Sequence, residues 1–181
     1  GDIRHLCGIV DPHMGIITGV NEAHLEKFKT VETAARTIFE LADYLGDKAV
    51  FVNGENARAR QCALPRHAMY TKEAAGEWRV ANSETGLHGT SFILKKGNTT
   101  IHAKSELLGL HQIGPLAVAA EIASRLGLTH KQIERGIAKT KPFEHRLQLR
   151  TDEHGVTMID DTYNGNPDGV RAAIDFLGSV K

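Results

Sequence analysis

The sequence predicts an α/β fold, a mostly parallel sheet flanked by helices with a small antiparallel sheet appended. Three observations carry this. Residues 14–20 and 49–52 are apolar runs of strand length separated by a stretch of helical spacing, the pattern of a parallel β–α–β unit. Residues 67–103 break into short strand-like pieces, with Lys96-Gly97-Asn98 as a hairpin signal. The remainder returns to helices and closes on one more hairpin and a helix.

The elements follow in order. The first strand draws on β-branched Ile16, Ile17 and Val20. Thr30 can cap a helix reaching about Leu45, because Val31, Ala34, Ala35, Ile38, Leu41, Ala42 and Leu45 recur at helical intervals and Gly46 ends the run. Residues 49–52 read as a short buried strand, and Asn53-Gly54-Glu55-Asn56 begins a turn or helix. Strand-like pieces follow at 68–71, 78–81, 90–94 and 99–103, all assigned to the antiparallel part. Between them, Gly86-Leu87-His88-Gly89-Thr90-Ser91 is glycine-rich but has no lysine and follows no buried strand, so it reads as a loop rather than a phosphate cradle.

Residues 112–126 form a helix with Ile113, Leu116, Ala117, Ala120, Ala123 and Leu126 on one face, stopped by Gly127, and Thr129 caps another reaching about Lys139. Residues 146–150 and 156–159 flank the turn Glu153-His154-Gly155 as a hairpin, with 156–159 read as a buried strand end. The last helix starts at Pro167. Asn166 suits its cap, proline suits a first helical position, and Asp168 lies where the helix dipole favours negative charge. No internal linker divides the chain, so residues 1–181 read as one domain.

Composition narrows the function classes. Hydrophobic content of 41% with 24% charged residues is that of a globular protein. Lysine plus arginine equals aspartate plus glutamate, 22 each, so no net field recruits nucleic acid or an anionic membrane, and neither is expected as a partner. The ten histidines include no close metal-ligand pair of the His-Glu-x-x-His kind. Cys7 and Cys62 sit among apolar neighbours and read as small buried residues of a reduced, cytoplasmic protein. The sequence has no signal-peptide pattern and no apolar run long enough to span a bilayer.

Four segments carry the chemistry. Asp160-Asp161-Thr162-Tyr163-Asn164-Gly165-Asn166-Pro167 places two carboxylates at a strand end before a helix start, where open α/β sheets hold nucleotides. Asn21-Glu22-Ala23-His24-Leu25-Glu26 is a polar loop following an apolar strand. Leu108-Gly109-Leu110-His111-Gln112 opens a helix, and Glu144-His145-Arg146-Leu147 precedes the final hairpin. In this order and spacing the four resemble the central, ATP-binding domain of the Mur ligases, ATP-dependent amide ligases of peptidoglycan synthesis, over essentially the whole chain. The turn at 160–166 most resembles the branch that adds D-alanyl-D-alanine to a UDP-muramoyl peptide.

That resemblance implies roles residue by residue. His24 would hold a metal, Mg2+, beside the reacting acyl phosphate, and Asn21 and Glu22 would face the substrate. Arg146 would act in catalysis at the ATP phosphates, a task suited to a guanidinium that stays charged and forks across two oxygens. Asp161 would accept the ribose hydroxyls. His111 and Gln112 would lie beside the adenine, whose edge needs both a donor and an acceptor. Asp160, Tyr163, Asn164 and Asn166 would shape the turn without touching ligand.

Departures from the family qualify this. Gln112 stands where asparagine is usual, and Pro115 where a second asparagine often sits. Counting from His24 places Ile38 at the position of a lysine that many relatives carbamylate to bridge metals, which leaves a second metal site in doubt. No Gly-x-x-x-x-Gly-Lys-Ser/Thr loop occurs. In the family that loop precedes the segment starting here at Gly1, and further substrate domains lie on both sides, in cis or in trans. The 181-residue chain by itself is therefore expected to be inactive. Two other functions stay open: a non-catalytic nucleotide-binding or assembly module of the same fold, and a ligase of the same superfamily acting on folate polyglutamate or cyanophycin.

Overall fold

The protein is described here from a computed structural model covering residues 2–23, 25–163 and 165–180. Its contacts fall into two compact units, Gly1–Thr71 and Lys72–Lys181.

The first unit is a parallel α/β assembly. Strand β1 (Met14–Ile17) pairs parallel to β2 (Ala49–Asn53), which pairs parallel to β3 (Ala68–Tyr70). Four helices accompany them: α1 (Asp2–Val10), α2 (Leu25–Phe28), α3 (Val31–Leu45) and α4 (Ala57–Cys62). Helix α3 is bounded as the sequence predicts. The Thr30 hydroxyl accepts the Thr33 N–H, and Gly46 donates its N–H to Ala42 O from a φ of 59° that glycine adopts without penalty. Its apolar stripe meets the strands in one core containing Ile17, Val20, Phe39, Ala42, Leu45, Val50 and Val52.

Three sequence expectations change here. Helix α1 was not anticipated, although Ile3, Leu6, Cys7 and Val10 have helical spacing; only Cys7 among its residues is buried. The piece at 68–71, assigned to the antiparallel part, is β3 and runs parallel to β2, because the six-residue α4 supplies a crossover too short to show periodicity. Cys62 is exposed rather than buried, while Cys7 is buried; both are free thiols.

Asn56 ties this unit together. Its Oδ1 accepts the Ala59 N–H at 2.8 Å, capping α4, and the Val20 N–H at 3.1 Å. Its Nδ2 donates to Val20 O at 3.2 Å. One amide thus caps a helix and satisfies both backbone groups of a residue 36 positions away. Asn56→Ala is expected to lower the unfolding free energy by about 2 kcal/mol, the sum of a lost cap and a lost backbone clamp. Urea unfolding checks this, and a change within error would show that neither bond contributes.

The second unit is an antiparallel meander with helices, followed by a hairpin. Strands β4 (Ala74–Ala75), β5 (Trp78–Gly86), β6 (Gly89–Lys96) and β7 (Thr99–Ser105) pair antiparallel in sequence order. The glycine-rich stretch read as a loop is the tight turn of the β5–β6 hairpin, with Gly86 opposite Gly89. Strand β5 outruns the four residues expected because it bulges: Asn82 takes φ 52°, and the register shifts between Ala81 and Glu84. A single 3₁₀ turn, Leu110–Gln112, leads into α5 (Ile113–Arg125), which contacts β4, β5 and β6. Helix α6 (His130–Ala138) opens on a full capping box between Thr129 and Gln132 and lies against β7.

Strands β8 (Gln148–Thr151) and β9 (Thr157–Asp160) form a separate antiparallel pair, and Asn166 caps α7 (Pro167–Ser179) by accepting the Gly169 N–H. The strand end expected to be buried is largely exposed: Val156 and Met158 face solvent, and only Ile159 is half-buried. A two-stranded sheet covers one face of β9 at most, so its alternate residues remain outside. Ile159, Leu149 and Ala173 instead pack on a small core of Leu108, Leu147 and Phe176.

Candidate functional site

In the first unit the loop leaving the carboxyl end of β1 is fixed by side chains from the last residue of β2 and the loop after it. Asn53 Nδ2 donates to Thr18 O at 2.9 Å, and Asn56 clamps Val20 as described. Asn21 Oδ1 accepts the Ala23 N–H at 3.0 Å in a local turn. Glu22 meets Arg58 at 3.4 Å across an exposed ion pair. Asn21 and Glu22 therefore lie on a preorganised loop at a strand carboxyl end, as the sequence suggested. His24 lies outside the described residues, as does Asn164. Among the described residues no group of three His, Cys, Asp or Glu side chains is placed to hold a metal ion.

In the second unit the remaining candidates gather around the Leu108–Leu147–Phe176 core. Leu108 precedes His111, Leu147 follows Arg146, and Ile159 precedes Asp160 and Asp161. The two adjacent carboxylates divide their work. Asp160 Oδ2 accepts from His145 Nδ1 at 2.8 Å and forms an ion pair with Arg150 Nε at 3.0 Å, and its Oδ1 accepts from the Thr162 hydroxyl at 2.8 Å and the Thr162 N–H at 3.3 Å. Asp161 Oδ1 accepts the Leu147 N–H at 3.1 Å, and its Oδ2 has no hydrogen-bond partner among the described residues. Asp160 is thus a structural hub, and Asp161 keeps an acceptor to offer.

Arg146 was expected at the start of a strand but sits in the loop before β8, between two residues of positive φ, His145 at 60° and Leu147 at 43°. Its side chain is exposed, with the guanidinium carbon 4.9 Å from the centre of the Tyr163 ring. Tyr163 also donates its backbone N–H to His145 O at 3.1 Å, so the 160–163 turn and the 144–147 loop are stitched on both sides of Arg146. No single-sequence signal links Arg146 to Tyr163; the contact exists only because β8 and β9 close as a hairpin.

His111 and Gln112 meet through His111 Nε2 and Gln112 Nε2 at 3.1 Å. Desolvation holds the His111 imidazole below its ordinary pKa, partly opposed by the Asp161 carboxylate, which places His111 within electrostatic reach of Asp161. Gly109 sets the ring's position. Its φ is 92°, and a Cβ there would fall 2.5 Å from His111 Cε1. The Gly109 N–H is in turn held by the Thr85 hydroxyl at 2.9 Å. A cavity of about 220 Å³ lies beside His111, with Thr85, Gly109, Asp175 and Phe176 in its walls.

Two outcomes test this arrangement. Gly109→Ala should cost about 1–2 kcal/mol of stability, from backbone strain plus the clash, and should expel the His111 ring. Imidazole titration by NMR would then return towards the ordinary value of 6.5; an unchanged titration would contradict the packing. Asp160 is the pH-sensitive member. Its pKa is lowered from 3.8, first by the Thr162 hydroxyl and then by His145. A depressed carboxylate stabilises the fold above its unfolded value and loses that contribution as the pH falls through the folded one. The Thr162 amide should therefore keep its shift down to 3.8 and change only below it. A transition centred above 3.8 would show that Asp160 is not held this way.

Comparison with known proteins fits the same frame. The family model for the Mur ligase middle domain matches residues 1–123. The UDP-N-acetylmuramoyl-tripeptide--D-alanyl-D-alanine ligase of Mycobacterium tuberculosis (strain ATCC 25618 / H37Rv) is 30% identical over 186 residues, covering 99% of this chain and 36% of the relative. That of Bacillus subtilis (strain 168) is 24% identical, covering 100% of this chain and 39% of the relative. Among solved structures, MurF from Acinetobacter baumannii superposes with a TM-score of 0.81 at 24% identity, over 99% of this chain and 40% of that one. MurF ligase from Thermotoga maritima in complex with ADP gives 0.78 at 24% identity, over 98% and 42%. The chain spans well under half the length of these relatives. With the model matched across two thirds of its residues, the chain belongs to the Mur ligase middle-domain family.

Proposed function

We propose that the chain is the central part of a cytoplasmic, ATP-dependent ligase that joins D-alanyl-D-alanine to a UDP-muramoyl tripeptide during peptidoglycan precursor synthesis. In this reaction class ATP activates a substrate carboxylate as an acyl phosphate, and the incoming amine displaces the phosphate. The observation that carries the reading is the constellation of Asp161, Arg146 and His111 around one small core in the second unit. Asp161, pinned through one oxygen, presents the other to ribose hydroxyls. Arg146, propped on Tyr163, presents an always-charged fork to phosphate oxygens. His111 borders a cavity of about 220 Å³, a size for a base rather than a whole nucleotide.

The loop after β1 supplies the other half of the chemistry. The cation expected there is magnesium, which prefers hard oxygen donors such as those a phosphorylated substrate would bring. His24 would add an imidazole ligand and serve as the catalytic metal anchor, with Asn21 and Glu22 turned to the substrate. Bound there, the cation would offset negative charge on the reacting phosphoryl group.

Nucleotide binding by the 181-residue chain is expected to be weak, in the millimolar range or about 4 kcal/mol, since among the described residues Arg146 is the one cation this reading assigns to the phosphates. Asp161→Asn keeps an acceptor for the Leu147 N–H and removes the charge. It should weaken ATP by roughly 1–2 kcal/mol, read by ligand-observed NMR. Equal affinity in the two proteins would place the nucleotide elsewhere. With ATP, UDP-muramoyl tripeptide and D-alanyl-D-alanine the chain should release no phosphate above background. Turnover sensitive to His24→Ala would reveal a phosphate cradle among residues assigned other roles here.

A further inference from the structure

The glycine-rich turn between β5 and β6 has no part in the proposed chemistry, yet residues flanking it reach the support of the base pocket. Thr85 and Thr90 stand directly opposite each other in the β5–β6 register, with their hydroxyl oxygens 3.0 Å apart. Both bond one residue, Gly109. Thr85 Oγ1 accepts the Gly109 N–H at 2.9 Å, and Thr90 Oγ1 donates to Gly109 O at 3.5 Å. A hydroxyl carries one hydrogen, so with that of Thr90 given to the Gly109 carbonyl, the Thr85 hydrogen goes to Thr90 Oγ1. The bonds close into a ring that runs from the Gly109 N–H through Thr85 and Thr90 back to the Gly109 carbonyl.

Gly109 needs such a hold. It lies between β7 and the 3₁₀ turn, outside any strand or helix, at a φ of 92°. Its carbonyl also accepts the Gln112 N–H at 3.1 Å, the bond that closes the turn carrying His111 and Gln112. Fixing both peptide groups of Gly109 therefore fixes where that turn begins. Thr90 is the informative member of the ring. It takes a buried position in β6 in register with Phe92 and Leu94, where an apolar side chain would pack without needing a partner. A hydroxyl buried there costs free energy unless it is bonded. At 1% exposure it is also too deep to touch a ligand itself. We propose that Thr90 is a positioning residue of the nucleotide-base site, acting through Thr85 and Gly109 on the His111–Gln112 turn, a role that rests on these two residues lying beside the base. Thr85 joins the support to the site, because it also lines the cavity beside His111.

Thr90→Val keeps the branched shape and removes the hydroxyl, whereas Thr90→Ser keeps the hydroxyl. In the native chain the Gly109 amide should exchange slowly with solvent although it lies in a loop. Thr90→Val should speed that exchange about tenfold, the loss of one supporting bond. It should also move the His111 titration up towards the ordinary 6.5 and weaken the binding of millimolar adenosine several-fold, both read by NMR. Thr90→Ser should stay close to native in all three, with thermal melting confirming that each variant is folded. A hydroxyl that serves stability alone would lower the melting temperature of Thr90→Val and leave the His111 titration in place, and that result overturns the proposal. So does fast Gly109 exchange in the native chain, or a Thr90→Ser chain that behaves like Thr90→Val. Adenosine that leaves the native His111 resonances unmoved would instead overturn the reading of the cavity as a base site, with exchange and titration still deciding the role of Thr90.

Discussion

The second unit depends on the hydrogen bond from the Leu147 N–H to Asp161 Oδ1. Leucine resists positive φ because its Cβ crowds the carbonyl, at about 1 kcal/mol or more. Yet Leu147 sits at 43° and His145 at 60°. The strain persists because both residues are overdetermined: Leu147 is buried against Leu108 and Phe176, its N–H is bound by Asp161, and His145 is bound by Asp160 through its ring and by Tyr163 through its carbonyl. Relaxing the backbone would break all of these together. The consequence is that Arg146, caught between two fixed residues, leaves the loop in a defined direction although it is exposed.

The two units solve the same problem by related means. A loop bearing polar functional groups loses entropy when it is ordered, so something must hold its backbone. After β1 the holders are the neutral amides of Asn53 and Asn56, which bind carbonyl and N–H groups without introducing charge beside Glu22. Before β8 the holders are carboxylates, which suits a region containing Arg146, Arg150 and His145. Placing a second acidic cluster by Glu22, or neutral amides under three potential cations, would leave charge uncompensated in either place.

Much of this was legible in the sequence, for reasons specific to each element. Helix α3 was readable to the residue because cap, stripe and terminal glycine agree over four turns. The capping box at Thr129 and the Asn166-Pro167 start are similarly local signals. What escaped reading was short or non-local. The six-residue α4 has too few residues for periodicity, so residues 53–56 read only as the start of a turn or helix and β3 was assigned to the antiparallel part. The Asn82 bulge hid half of β5. Exposure of β9 could not be foreseen from Val156, Met158 and Ile159, since their apolarity says nothing about how many strands accompany them. Of the site, the residue types and their order along the chain were visible. The stack of Tyr163 on Arg146 was not, because it arises from tertiary closure, and the approach of His111 to Gly109 depends on a φ of 92° at a residue whose N–H is held by the distant Thr85 hydroxyl.

The division between Asp160 and Asp161 is the clearest case where geometry adds to the sequence. Side by side, two aspartates are equivalent in residue type, and either could face a ligand. In the fold Asp160 accepts three hydrogen bonds and pairs with the Arg150 guanidinium, and the Thr162 hydroxyl and His145 lower its pKa, so recruiting it for a ligand would cost bonds already made. Asp161 spends one oxygen on Leu147 and retains the other. Asp160 ends β9 and binds His145, Thr162 and Arg150, whereas Asp161 lies just past the strand and binds only the Leu147 N–H among the described residues. The adjacency is therefore functional: the first aspartate rigidifies the turn that aims the second, and the second, through Leu147, returns the support by fixing the loop that carries Arg146.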